Sequence, residues 1–388
     1  MIERRPPQVK CTALGISLQD PRWMGGVGSW RVPETAYILG MRSKDLALPN
    51  IEDVARAAAV STATVSRVLN NPASVREALR TRVMHSVQAL GYVPHAGARA
   101  LKLQRSGTVG AVFPTIDNAI FAKAIDALQQ RLAEAGLQLL IATSNYDQDA
   151  EARQAMNLVT CGADALVLCG VGQSAELLSV LSQRQLPTVH AMIFPAPPGL
   201  VCVGFDNARA IGQAVRYLLD LGHRRVAMLA GVSQHNDRAA ARIAGVRQAL
   251  KKGGLTLAPQ HLVERPYGLA EAREGFRLLM ATRPAPTAIV CGNDVLAFGA
   301  LLEARKLGIA VPEALSVIGF DDLEMARHIQ PALTTLHVPT QQLWRTVAER
   351  VIAALEAAPV QPATEVEVEL VVRESSGPAP RAGRSARP

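Results

Sequence analysis

Two runs in the 388-residue chain have the residue types and spacing to do chemistry. The first, Gly170-Val171-Gly172-Gln173-Ser174-Ala175, follows a predicted strand and opens a predicted helix with the G-x-G-x-x-[GA] spacing of a dinucleotide-binding turn. The match is weak: the next strand, Pro187 to Ala191, is not followed by the acidic residue that would hold a ribose, and glycine is common in turns after parallel strands. The second run is electrostatic. Between residues 48 and 105, eight basic side chains (Arg56, Arg67, Arg76, Arg80, Arg82, Arg99, Lys102, Arg105) meet three acids (Glu52, Asp53, Glu77), a net +5. Residues 1–47 and 377–388 carry +3 each, which leaves −3 for residues 106–376 within the +8 of the whole chain. A basic segment on a mildly acidic body is a footprint for nucleic acid, although a basic stretch can also be a merely solvated surface.

Other chemistries lack support. The five cysteines (Cys11, Cys161, Cys169, Cys202, Cys291) show no C-x-x-C spacing and no His cluster, so neither a zinc site nor a disulfide framework is expected, and a reducing cytoplasm fits best. There is no nucleophile elbow, Walker loop, H-E-x-x-H or carboxylate pair, so the reading is of a protein that is not an enzyme, with no cofactor and no metal. No apolar signal core and no apolar stretch of about 18 residues occurs, which speaks against export and membrane spanning. With 49% hydrophobic and 19% charged residues, the composition is that of a folded globular chain of two or three domains.

The elements that would position these groups fall into two regimes. Residues 1–47, broken by Pro6, Pro7, Pro21 and Pro33, show no period and are expected to be a disordered extension, with Met41 as the candidate native start. From Asn50 the period is helical: Asn50 can cap a helix with Ile51, Val54, Ala55 and Ala58 on one stripe. Ser61 can cap a second helix with Val65, Val68 and Leu69 inward, stopped at Asn70-Asn71-Pro72. A third helix spans about Val75 to Leu90, turns Leu79, Val83, Val87 and Leu90 inward, and ends at Gly91. The first two helices make a helix-turn-helix. Ala96 to Gln104 can form one or two helical turns, and from Thr108 the chain alternates strands (109–113, 138–142, 165–169, 187–191, 201–204, 225–230, 288–291, 316–320) with amphipathic helices such as 119–135 and 208–221. That alternation predicts parallel sheets covered on both faces, and at least eight strands predict two of them.

Asn50-Ile51-Glu52-Asp53-Val54-Ala55 and Val60-Ser61-Thr62-Ala63-Thr64-Val65-Ser66-Arg67-Val68-Leu69-Asn70 resemble the DNA-binding headpiece of the lactose/galactose repressor (LacI/GalR) family. The resemblance continues through Gly91-Tyr92-Val93-Pro94, Ala98-Arg99-Ala100-Leu101-Lys102, Leu221-Gly222-His223, Arg242-Ile243-Ala244-Gly245, Cys291-Gly292-Asn293-Asp294, Gly319-Phe320-Asp321-Asp322 and Pro331-Ala332-Leu333-Thr334-Thr335, covering residues 48 to about 376. It implies a three-helix helix-turn-helix headpiece (48–95), a hinge helix and linker (96–106), and a periplasmic-binding-protein-like α/β body (107–376). The body would divide into subdomain 1 (107–206 and 339–366) and subdomain 2 (207–337 and 367–376), and a disordered tail (377–388) would follow.

The resemblance implies a homodimeric, cytoplasmic transcriptional regulator, most simply a repressor, on a near-palindromic operator. Helix two would enter the major groove with Thr62, Ala63 and Arg67 at base edges, and Arg67 could pair with guanine. Ser61, Ser66 and Asn70 would meet phosphates or serve as helix caps, and Tyr92 would pack or touch a phosphate. Leu101 would wedge into the minor groove between the cationic Arg99 and Lys102, or be buried against the body. A small sugar or sugar acid would bind between the subdomains through Arg242 and Asp294, unless these form a mutual salt bridge, with Phe121, Tyr267 and Asn207 as further contacts. Val203-Gly204-Phe205-Asp206-Asn207 with Asn236-Asp237-Arg238 resembles members that regulate gluconate-type sugar-acid metabolism, whereas His190-Ala191-Met192 departs from the charged effector contact many members carry there. The rival readings are a solute-binding protein, which lacks an export signal, and an NAD-dependent enzyme resting on Gly170 to Ala175.

Overall fold

A computed structural model describes residues 49–93 and 105–380. The chain divides into two compact units, the first ending at Val93.

The first unit holds three helices, α1 (Ile51–Ala57), α2 (Thr62–Asn70) and α3 (Glu77–Leu90). The Asn50 side chain accepts from the amides of Glu52 and Asp53 while Asp53 accepts from the Asn50 amide, a reciprocal cap that fixes where α1 begins. Ser61 Oγ accepts from the Thr64 amide at 3.2 Å and starts α2. Val54, Ala55, Ala58, Val65, Val68 and Val83 form the core. The third helix departs from expectation at both ends. Pro72–Ser74 make a separate 3-10 turn and Val75 is extended, so α3 starts at Glu77. Leu90, expected inward, is 37% exposed, because the helix ends at Gly91 in a left-handed turn (φ +61) that gives Leu90 no facing helix.

The second unit runs β1 (Thr108–Phe113), α4 (Ala119–Glu134), β2 (Gln138–Thr143), α5 (Gln148–Thr160), β3 (Ala165–Cys169), α6 (Ala175–Gln183), β4 (Thr188–Ala191) and β5 (Val201–Gly204). It continues through α7 (Asn207–Asp220), β6 (Val226–Gly231), α8 (Asp237–Lys252), β7 (Leu262–Arg265), α9 (Leu269–Ala281), β8 (Ala288–Cys291), α10 (Asp294–Lys306), β9 (Ser316–Asp321) and β10 (Thr334–His337). It closes with α11 (Thr340–Leu355), β11 (Ala363–Glu365) and β12 (Glu369–Val371). Two six-stranded sheets result, ordered β11-β5-β4-β3-β1-β2 and β12-β10-β9-β8-β6-β7, parallel throughout except that β12 pairs antiparallel with β10. The central strands β3, β6, β8 and β9 are wholly buried, and apolar apart from Ser316 and Asp321 at the two ends of β9, as sheets covered on both faces require. The chain crosses between sheets after Gly204, after His337 and between Glu365 and Glu369, so each sheet takes its last strand from the C-terminal part of the chain.

Residues 377–380, expected to belong to a loose tail, are tied down. His223 is fully buried; its Nε2–H donates to the Gly377 carbonyl at 3.0 Å, and its Nδ1 accepts from the Thr287 hydroxyl at 3.0 Å. The Ala379 amide donates to the Leu221 carbonyl at 2.9 Å. Burial holds the His223 imidazole below its ordinary pKa, with the Gly377 bond opposing in part. The unfolded chain therefore takes up the proton first, and this residue's contribution to stability is lost as pH falls below about 6.5. His223→Ala should cost about 2–4 kcal/mol, because it leaves buried hydroxyls and a carbonyl unpaired. Calorimetry should show a melting temperature lower by roughly 5–15 °C, with less acid sensitivity between pH 7 and 5.

Candidate functional site

In the headpiece, Thr62, Ala63, Arg67 and Asn70 are exposed on α2, opposite the buried Val65 and Val68. Arg67 makes no ion pair among the described residues, so its guanidinium fork is available. Ser61 is occupied as the α2 cap, and Asn70 Nδ2 donates back to the Ser66 carbonyl at 2.8 Å and to Ser66 Oγ at 3.2 Å. These three side chains thus serve the helix first. Tyr92 packs half-buried against the headpiece core. Arg99, Leu101 and Lys102 lie outside the described residues.

In the body, a cleft lies between the two sheets, beyond their strand ends, walled by Asn118, Ile120, Phe121, Tyr146 and Met192 from one side and Asn236, Arg238, Arg242, Tyr267, Asn293 and Asp321 from the other. Asn118 caps α4, accepting from the Ile120 amide at 3.3 Å, and so places Phe121 in the first turn, where it meets Phe113 edge-on at 6.0 Å. Arg242 is held at two nitrogens and one face: Nε donates to Asn207 Oδ1 at 2.9 Å, Nη1 donates to the Gly292 carbonyl at 2.6 Å, and the guanidinium lies 3.8 Å from the Phe320 ring centroid. Tyr146 and Tyr267 approach across the cleft with ring centroids 5.7 Å apart. The inner cavity is only about 30 Å³, and it adjoins an outer one of about 680 Å³ that shares Asn118, Tyr146, Asn236 and Tyr267.

Of the five residues expected to hold an effector, Phe121, Arg242 and Tyr267 line this cleft, and two do not. Asp294 is fully buried behind it, without an ion pair to Arg242: its oxygens accept from the Thr335 hydroxyl at 2.5 Å and the Leu323 amide at 2.7 Å. Burial and the neighbouring Asp321 push its carboxyl up to about 8, and the two hydrogen bonds oppose that shift. It clamps the start of the segment after β9, at Leu323, to β10, at Thr335, just beyond the end of β9, where Asp321 reaches the wall. Asn207 is likewise buried; it bridges Arg242 to the other subdomain by donating to the Met192 carbonyl at 3.0 Å. Sequence reasoning missed Asn118, Tyr146, Met192, Asn236, Arg238, Asn293 and Asp321. The signal was present for Arg238 and Asp321, which sit in the Asn236-Asp237-Arg238 and Gly319-Phe320-Asp321-Asp322 runs. Burial pushes the Asp321 carboxyl up to about 7, against the pull of Arg242.

The glycine run has no room for a nucleotide. Gly170 stands at φ +79, and a Cβ there would overlap the Arg238 guanidinium and the Asp237 carboxylate. Those groups occupy the space a pyrophosphate would need. His190 points away from the cleft lining: buried, its Nδ1–H donates to the Gly170 carbonyl at 2.9 Å. Among the described residues, no group of three or more His, Cys, Asp or Glu could hold a metal ion, and no helix is long and apolar enough to cross a membrane. Cys161, Cys169, Cys202 and Cys291 are free thiols.

A three-helix headpiece with an open polar recognition face, joined to a two-sheet body with a polar interdomain cleft, defines a ligand-responsive DNA-binding regulator. Residues 50–95 match the family of bacterial regulatory proteins named for lacI, and residues 215–376 match the periplasmic binding protein-like domain. The chain is 34% identical over 330 residues to the HTH-type transcriptional regulator GntR of Pseudomonas aeruginosa, covering 84% of this chain and 96% of that protein. It is 31% identical over 328 residues to the HTH-type transcriptional repressor CytR of Escherichia coli K12, with the same two coverages. The crystal structure of the transcription regulator GntR from Chromobacterium violaceum superposes with a TM-score of 0.66 at 30% identity, over 69% of this chain and 99% of that one. The protein belongs to the LacI family of transcriptional regulators, whose members bind operator DNA and small-molecule effectors.

Proposed function

We propose that this protein is a homodimeric repressor of a near-palindromic operator, switched by a small sugar or sugar acid bound between the two sheets of its body. The observation that carries the reading is the composition of the cleft. Arg238, Arg242 and Asp321 stand among three asparagine amides and two tyrosines, groups that suit vicinal hydroxyls and a carboxylate, while Ile120, Phe121 and Met192 give the apolar face of a sugar ring a surface to pack on. The exposed Thr62, Ala63 and Arg67 face of α2 supports base reading, and the crowded turn at Gly170 speaks against an NAD enzyme. The titrating group at the wall separates the two ligand classes. Below about pH 7 Asp321 is protonated, so the cleft gains net positive charge and loses a strong acceptor. A sugar acid, ionised throughout, should bind more tightly as pH falls from 8 to 6, and a neutral sugar held through Asp321 more weakly.

The test is a thermal-shift screen of sugars and sugar acids, followed by calorimetric titration of each positive at pH 8 and pH 6. Gel shift of the DNA upstream of the gene at about 0.1 M salt tests the operator half. Absence of any sequence-specific shift overturns the regulator reading, and a protein stabilised by none of the sugars overturns the effector reading.

A further inference from the structure

The turn at Gly170 to Gly172 is filled from across the cleft. The Val171 amide, in the subdomain built on β1 to β5, donates to Asp237 Oδ2 of α8 at 2.8 Å, and Asp237 Oδ1 accepts from Arg238 Nη1 at 3.0 Å. Gly170 lies against both side chains, its φ of +79 and bare Cα leaving the space they take. The turn is braced from behind by His190 on the Gly170 carbonyl and by Gln148 Nε2, which donates to the Gly172 carbonyl at 2.7 Å. Arg238, on the cleft wall, is buried and has Asp237 as its ion-pair partner.

We infer that Asp237 is the latch that closes this cleft and the residue that positions Arg238 within it. One carboxylate binds a backbone amide of the opposite subdomain with one oxygen and the cleft arginine with the other, so closure and arginine placement depend on the same group. The inner cavity of about 30 Å³ is far below the roughly 300–1,000 Å³ of small-molecule sites. A ligand seated in the adjoining outer cavity of about 680 Å³ therefore reaches the inner part of the cleft only when the Asp237 to Val171 bond opens, and it is held there when that bond re-forms. The glycine at position 170 is required by this contact, since any Cβ would push the latch open. The inference rests on the cleft being the effector site only for its ligand consequences; the latch itself is a property of the free protein.

The experiment is a double-mutant cycle on the full-length protein, with Asp237→Ala, Gly170→Ala and the pair, read by hydrogen exchange at the Val171 amide. Each single change should accelerate that exchange at least about tenfold while the Leu166 to Leu168 amides of β3 stay protected. The pair should be no faster than the faster single, because both changes break one contact. Asp237→Asn keeps an acceptor for Val171 but loses the ion pair and should fall between wild type and Asp237→Ala, which keeps the test decisive if Gly170→Ala misfolds. Unchanged exchange in Asp237→Ala, or additive effects in the pair, would overturn the latch. Stopped-flow binding of D-gluconate and D-glucose then supplies the ligand arm: faster association and faster release are expected in Asp237→Ala. If wild type binds neither probe, the effector reading loses these two ligands while the exchange data still decide the latch.

Discussion

Arg67→Ala is expected to weaken operator binding by about 1–3 kcal/mol, or roughly 5- to 150-fold, and to flatten base preference at one position in each half-site. The residue is exposed on the open face of α2, two turns in from the Ser61 cap, and makes no competing ion pair among the described residues. Its fork can therefore be committed to a base edge without first breaking a protein contact. Binding to unrelated DNA should fall far less, since one lost charge reduces the salt slope by only about one counterion. Arg56→Ala is the control: Arg56 pairs with Asp53 at 3.2 Å on α1 and should leave base preference untouched. Fluorescence anisotropy on operator and scrambled duplexes at two salt concentrations separates the cases, and equal losses on both duplexes would show that Arg67 reads only backbone charge.

Arg242→Lys should abolish the effector response almost as fully as Arg242→Ala, raising effector Kd by about 100-fold or more, while operator affinity without effector stays within about threefold. The guanidinium serves Asn207, the Gly292 carbonyl and the Phe320 ring at once, and an ammonium cannot keep two in-plane hydrogen bonds and a stacked face together. Loss of the Asn207 contact also frees the side chain that grips the Met192 carbonyl of the other subdomain. Calorimetric titration with whichever sugar stabilises the wild type, beside anisotropy on the operator, checks both halves. A lysine variant with normal affinity would show that Arg242 is a packing residue.

The chain announced its architecture through long signals. Apolar runs such as Ala165 to Cys169 and Ser316 to Phe320 could only be buried strands, and the helix-turn-helix showed in the caps at Asn50 and Ser61. The strands that escaped were Leu262–Arg265, Thr334–His337, Ala363–Glu365 and Glu369–Val371, three or four residues each, most of them at or next to a sheet edge and too short to display a period. The cleft was legible in part for a related reason. Asp294 and Asp321 both follow or end buried strands within recognisable runs, but the chain does not record which carboxylate faces the cleft. Tertiary geometry decides it: Asp294 turns inward to hold the Leu323 amide and the Thr335 hydroxyl, which leaves the wall position to Asp321. Arg238 lay in a run the sequence singled out, but its place on the wall depends on a glycine almost seventy positions away, a pairing no local pattern contains.

The late return of the chain to both sheets has a consequence for biosynthesis. The headpiece core is complete once Tyr92 has left the ribosome, yet β11 and β12 are translated some 270 residues later. At about 5–20 residues per second, that interval lasts on the order of tens of seconds. Throughout it, a nascent chain carries a finished DNA-reading surface beside a body that still lacks an edge strand in each sheet. Neither subdomain can be isolated by a single cut, and a message broken before codon 363 yields a headpiece followed by a body without β11 and β12.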